Sequence, residues 1–194
     1  MIIILDIESG QSKSVSDILT SLKIGNKISN KESEVLKAVG VIIPACQNIQ
    51  YASKKIQMCN FGSLLRMVKK PMLGINTGMN LMTESIPEEN VHGLGFFKCK
   101  SVRLENKPEQ IESVIKTTSS SKLLENLSDN KVMISNLICV VESSKDATST
   151  ILLDGKEICG SLEHKNYSGV QFNPELSGIA GEEVLKNFYH ICKH

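Results

Sequence analysis

Short apolar runs bounded by polar or turn-forming residues recur along the chain. They fall at Ile2 to Leu5, Val39 to Ile43, Met72 to Ile75, Val132 to Ile134, Ile138 to Val141, Ile151 to Leu153 and Gly169 to Phe172, and each predicts a buried strand. Helix-period segments separate the early ones. Val15, Ile18, Leu19 and Leu22 share one face of the first, and Ile56, Leu64, Leu65 and Val68 line a second that ends before Pro71. Strand and helix in alternation predict a parallel sheet. After Met82 the pieces become shorter and more β-like, between clusters of Ser, Asn and Lys, and predict a meander packed onto one side of that sheet. A closing helix from Ser177 carries Val184, Leu185, Phe188 and Ile191 at helical spacing, with Pro174 at its entrance.

Composition narrows the class. With 194 residues, 41% of them hydrophobic and 22% charged, the chain can bury a full core, and with no repeat or linker in view residues 1–194 are expected to form a single domain. Twenty-two Lys and Arg against 21 Asp and Glu leave a net charge of +1, so no strong field draws in nucleic acid or an anionic membrane. Only Arg66 and Arg103 are arginines, which leaves almost no bidentate phosphate clamps. Six cysteines, Cys46, Cys59, Cys99, Cys139, Cys159 and Cys192, show no C-x-x-C spacing, so a reducing, cytoplasmic setting with no zinc or other metal is expected. The apolar opening stops at Asp6 without a basic leader and reads as a strand, not a signal peptide or membrane span. No cofactor is implied.

Candidate chemistry sits at two strand ends. In Pro71-Met72-Leu73-Gly74-Ile75-Asn76-Thr77-Gly78-Met79-Asn80-Leu81-Met82 a strand enters a tight turn and then a helix, which lifts the side chain at 76 above the carboxyl edge of the sheet. Gly78 leaves room there for helix N-terminal amides to face a developing oxyanion, so a nucleophile is expected at position 76. In Tyr167-Ser168-Gly169-Val170-Gln171-Phe172-Asn173-Pro174-Glu175 a second strand ends at Asn173, with Glu175 two residues on.

These segments resemble the class I glutamine amidotransferases, most closely the glutaminase subunit of imidazole glycerol phosphate synthase, the HisH family. That family reads L-G-I-C-x-G-M-Q at the elbow and Y-G-V-Q-F-H-P-E-x-S-G near its C-terminus. Ile4-Leu5-Asp6, Gly93-Leu94-Gly95, Ser177-Gly178 and Leu185-Lys186-Asn187-Phe188 extend the resemblance over almost the whole chain. It implies a Rossmann-like three-layer α/β sandwich with a mainly parallel central sheet. It also implies a (β/α)₈-barrel cyclase or synthase as partner, either in histidine biosynthesis or in a related surface-sugar pathway. In the family a cysteine thiolate attacks the glutamine carboxamide, a histidine shuttles the proton and a glutamate orients the ring.

Carried over residue by residue, the nucleophile position is Asn76, the base position is Asn173, and only the orienter, Glu175, is retained. A carboxamide has no thiolate form and is no general base near neutral pH. Losing such a nucleophile costs on the order of a millionfold in turnover, about 8 kcal/mol of barrier. Departures continue outward. The family's P-G-V-G oxyanion loop is Pro44-Ala45-Cys46-Gln47, and without its glycines it has less freedom to turn an amide. The substrate-binding set is Gly78, Asn80 in place of a glutamine, and Asn136 within Ser135-Asn136-Leu137-Ile138 where the family has V-H-S-Y. A P-H-M-G-W-N segment is absent. These differences argue against tight glutamine binding as well as catalysis and predict an inactive subunit that docks to a synthase. The alternatives are an unorthodox glutaminase using Cys46 and a free-standing small-molecule-binding regulator. Cys46 has no evident histidine partner, and His92, His164, His190 and His194 all fall outside the family's catalytic positions.

Overall fold

The computed structural model describes residues 1–58, 60–105 and 108–194. The first half alternates as expected: β1 (Ile2–Ile4), α1 (Ser9–Ser21), β2 (Asn26–Ile28), α2 (Glu32–Lys37), β3 (Gly40–Ile43), α3 (Ile49–Met58), α4 (Phe61–Met67), β4 (Met72–Ile75) and α5 (Thr77–Leu81). A β-rich stretch follows: β5 (Ser85–Ile86), β6 (Val91–His92), β7 (Ser101–Arg103), β8 (Gln110–Thr117), β9 (Lys131–Ser135), β10 (Cys139–Val141), β11 (Ala147–Leu153), β12 (Lys156–His164) and β13 (Tyr167–Val170). The helix α6 (Gly178–Ile191) closes the chain.

Nine strands form one sheet in the order β2-β1-β3-β4-β13-β12-β11-β8-β9. The β2-β1-β3-β4-β13 segment is parallel throughout, and every pairing beyond β13 is antiparallel. The predicted meander is therefore misplaced: most of it extends the sheet at its edge and does not lie on its face. β13 is the reason. It pairs with β4 on one side (Val170 opposite Ile75) and with β12 on the other (Ser161 opposite Val170), so the meander inherits the plane of the parallel strands. The two-stranded ribbons β7-β10 and β5-β6 stand apart from it.

Strand periodicity sorts the core into two sides. Ile3, Val41, Ile43 and Met72 pack with Ile49, Ile56, Leu64 and Leu65, whereas Ile2, Ile4, Ile42, Leu73 and Ile75 pack with Val15, Leu19, Val184, Leu185 and Phe188. Helices α3 and α4 thus cover one face, and α1 and α6 the other, which gives three layers. Two helix predictions need correction. The segment from Ile56 to Val68 is two helices, because Asn60 adopts a left-handed conformation with φ 54°. Pro174 opens a separate 3₁₀ turn, Pro174–Leu176, and α6 starts only at Gly178. No helix among the described residues is long and apolar enough to cross a membrane.

Candidate active site

Asn76 follows β4 and caps α5 with φ 51° and ψ −116°, a sparsely populated backbone region that costs on the order of 1–3 kcal/mol. The turn is held from both sides. The Asn76 N–H donates to the Val170 carbonyl at the end of β13 (2.7 Å), and the Asn76 carbonyl accepts from Met79 N–H (2.9 Å). Gly78 makes the bend possible for a packing reason: a Cβ there would lie 2.1 Å from the Ile43 carbonyl oxygen. Helix α5 can therefore start only against the bare backbone of the β3 end.

Asn173 reaches the same point from the end of β13. Asn76 Nδ2 donates to Asn173 Oδ1 (2.9 Å) and to the Ser135 carbonyl (2.8 Å), while Ser135 N–H donates to that same Asn173 Oδ1 (2.9 Å). Asn173 Nδ2 in turn donates to Glu175 Oε1 (2.8 Å). Asn76, Asn173 and Glu175 thus form one chain of hydrogen bonds, although 97 residues separate the first two. Both Asn side chains are buried, at 1% exposure. The amides clasp the ends of β4, β9 and β13 together; the resemblance brings the segment from Ser135 to the pocket, but Ser135 joins the clasp through its backbone, which residue type does not mark.

The clasp is tight but incompletely satisfied. Asn76 Oδ1, Gln171 Nε2 and Glu175 Oε2 are buried and find no hydrogen-bond partner among the described residues. Burial, only partly offset by the Asn173 hydrogen bond, pushes the Glu175 carboxyl above the usual carboxylate range. Chemically, a neutral carboxamide pair can exchange hydrogen bonds but can neither supply a thiolate nor relay a proton at neutral pH.

The facing loop is occupied as well. Cys46 N–H donates to Thr77 Oγ1 (2.6 Å), and the same hydroxyl donates to the Cys46 carbonyl (3.0 Å). Gln47 and Asn48 N–H donate to the two carboxylate oxygens of Glu8 (2.8 and 3.1 Å). These three amides are engaged away from the Asn76 side chain. Ala45 is buried in the α1/α6 side of the core, and Cys46 in the α3/α4 side. Burial drives the Cys46 thiol up to about 12, with its contact to Thr77 opposing the shift, so at neutral pH it is a packed, protonated side chain.

The expected substrate-binding residues separate. Asn80 is fully buried beneath the elbow; in the amide orientation that pairs its atoms, Nδ2 donates to the Cys139 and Asn76 carbonyls (3.2 and 3.3 Å) and Oδ1 accepts from Ser101 Oγ (3.1 Å). Asn136 is exposed, with φ 51°, and shares an open cleft with Gln47, Pro108, Glu109 and Ile138. Gln47 and Asn136 therefore meet at the surface, while Asn80 and Gly78 serve the interior. Among the described residues no group of three or more His, Cys, Asp or Glu is placed to hold a metal ion. Cys59 lies outside the described residues.

Residues 3–192 match the family described as glutamine amidotransferase class-I. The chain is 30% identical to an imidazole glycerol phosphate synthase subunit HisH of Listeria monocytogenes, over all of this chain and 97% of that protein. It is 28% identical to a HisH 2 subunit of Methanococcus maripaludis, over 97% of this chain and 98% of the relative. Among solved structures, a glutamine amidotransferase superposes with a TM-score of 0.79 at 14% identity, covering 100% of this chain and 99% of that one. A glutamine amidotransferase of Thermotoga maritima does so with 0.63 at 12% identity, covering 99% and 81%. With its elbow, its three layers and these full-length matches, the chain belongs to the class I glutamine amidotransferase family.

Proposed function

We propose that this chain is a HisH-like subunit of imidazole glycerol phosphate synthase or a related nitrogen-transfer assembly, inactive in glutamine hydrolysis and retained as the partner of a cyclase. Full-length similarity to HisH subunits supports the subunit role. The observation that carries the inactivity is the Asn76–Asn173 hydrogen bond of 2.9 Å, an amide pair at the positions that must supply nucleophile and base. The engaged amides of Cys46, Gln47 and Asn48 add to it, because a donor already satisfied by Thr77 or Glu8 stabilises no oxyanion unless the loop rearranges. Cys46 is a poor substitute: its thiol is buried and protonated, and its backbone N–H is tied to the hydroxyl of the elbow threonine, Thr77.

The resemblance points to a (β/α)₈-barrel synthase for the partner, docked over the face that carries the Gln47–Asn136 cleft. The synthase would then draw on free ammonia or another donor. Ammonia release from glutamine, measured on the purified chain alone and with the cyclase and its substrate, tests the inactivity, and Cys46→Ala serves as control. Copurification with the barrel tests the subunit role. Background ammonia with stable co-elution is expected; partner-stimulated hydrolysis abolished by Cys46→Ala would establish the unorthodox enzyme instead.

A further inference from the structure

A second concave feature lies between α3, α4 and the loop after β6, a cleft of about 280 Å³ near the small end of the roughly 300–1,000 Å³ typical of ligand pockets. Its lining shares no residue with the amide clasp. Ile56, Leu81 and Leu94 supply apolar lining, while Ser53, Asn60, Ser63, Arg66 and His92 supply polar groups. Among the described residues no Asp or Glu lines it.

Arg66 sets the character of the cleft. Its Nε donates to the Leu94 carbonyl (3.1 Å), which leaves the four terminal guanidinium N–H groups unused by that bond. No carboxylate among the described residues lies within 4.0 Å of it, in contrast to Arg103, which pairs with Glu89 at 2.5 Å. The anchor is itself fixed: Leu94 N–H donates to the Leu81 carbonyl (2.8 Å), and a Cβ on the neighbouring Gly93 would meet the Thr83 carbonyl oxygen at 2.0 Å. Arg66 is exposed, and this bond fixes one edge of its planar cation while the other edge faces the cleft and solvent. An adjoining cleft shares Ser53, Gln57 and His92 and contains Glu89, but the Arg103 pair neutralises that carboxylate. An anion entering beside Arg66 meets no free negative charge in the lining.

We propose that this cleft binds a small organic anion, a carboxylate or a phosphate monoester, through the outward edge of the Arg66 guanidinium, with the apolar lining receiving the carbon skeleton. The fork geometry suits both oxyanions.

The inference stands apart from the glutaminase reading and is tested separately. The full chain is titrated at constant ionic strength with succinate in one arm and glycerol phosphate in the other, with chloride as control, while amide shifts of Gly62, Ser63 and Gly93 and the Arg66 Nε–H are followed. Saturable shifts confined to those groups are expected in at least one organic arm, and the arm that saturates identifies the oxyanion. Arg66→Gln should weaken that binding tenfold or more. Ser63→Glu, which places a carboxylate on an exposed position of the rim without touching the Leu94 anchor, should weaken it comparably. Saturation in neither organic arm, saturation matched by chloride, or an affinity unchanged in both variants would overturn the proposal.

Discussion

The elbow and the loop facing it answer different demands. At the elbow, backbone clearance is what the fold needs: Gly78 lies against the Ile43 carbonyl, and a Cβ on Gly74 would sit 2.7 Å from Met79 backbone atoms. At residues 44–48 nothing comparable forces the sequence. Ala45 and Cys46 are absorbed into the two sides of the core, and Glu8 and Thr77 take up the loop amides. Residue identity is thus fixed by backbone clearance at the elbow and by side-chain packing at residues 44–48. The strand-to-helix frame holds where packing demands it, while positions 76 and 173 carry amides that brace strand ends.

The largest loss of stability is expected at Gly78. Gly78→Ala drives a Cβ into backbone that cannot yield cheaply, and urea unfolding should show a loss of about 3 kcal/mol or more. Ala45→Gly on the facing loop should change stability by about 1 kcal/mol or less, through backbone entropy and one lost methyl.

Next comes the clasp. Asn173→Ala strands Ser135 N–H and removes the donor to Glu175 Oε1, while Asn76 Nδ2 keeps only the Ser135 carbonyl, and it should cost about 2–3 kcal/mol. Asn76→Ala strands Asn173 Oδ1 less severely, since Ser135 N–H still reaches it, and should cost about 1–2 kcal/mol. A double-mutant cycle between the two should return a coupling of roughly 0.5–3 kcal/mol. Additive losses would mean that the amides do not act as a unit.

The smallest effect is a pH dependence. Because burial raises the Glu175 pKa in the fold above its unfolded value, the folded chain holds a proton that the unfolded chain releases. That contribution is complete below the unfolded pKa and disappears as pH rises through the folded one. Thermal unfolding at stepped pH should therefore show stability falling across the range above 4.5, and Glu175→Gln should flatten the slope there. An unchanged slope would assign the pH dependence elsewhere.

Much of this is legible in the chain because its determinants are local. Gly74, Asn76 and Gly78 mark a strand-to-helix turn by residue type alone, whereas the second strand, expected to run to Asn173, ends at Val170, three residues short of the side chain it positions. Strands without an apolar signature account for the rest. β12 carries Lys156, Glu157, Glu163 and His164, and β8 carries Gln110, Glu112 and Lys116, so neither shows a continuous apolar run. Their strand character comes from pairing across the sheet, a non-local fact. The partners of the site are hidden likewise: Ser135 reaches Asn173 across 38 residues, and Glu8 reaches Gln47 across 39. No spacing rule connects such positions.

The decisive measurement is ammonia release from glutamine by the purified chain and by its Asn76→Cys/Asn173→His variant, each in the presence of a cyclase. The unmodified chain should stay at background, because a neutral amide pair offers neither thiolate nor proton shuttle. Asn76→Cys alone should give at most a trace, and the double variant measurably more, though still held back by the engaged amides of Cys46 and Gln47. Partner-stimulated hydrolysis by the unmodified chain, at a rate the double variant does not exceed, would contradict the account.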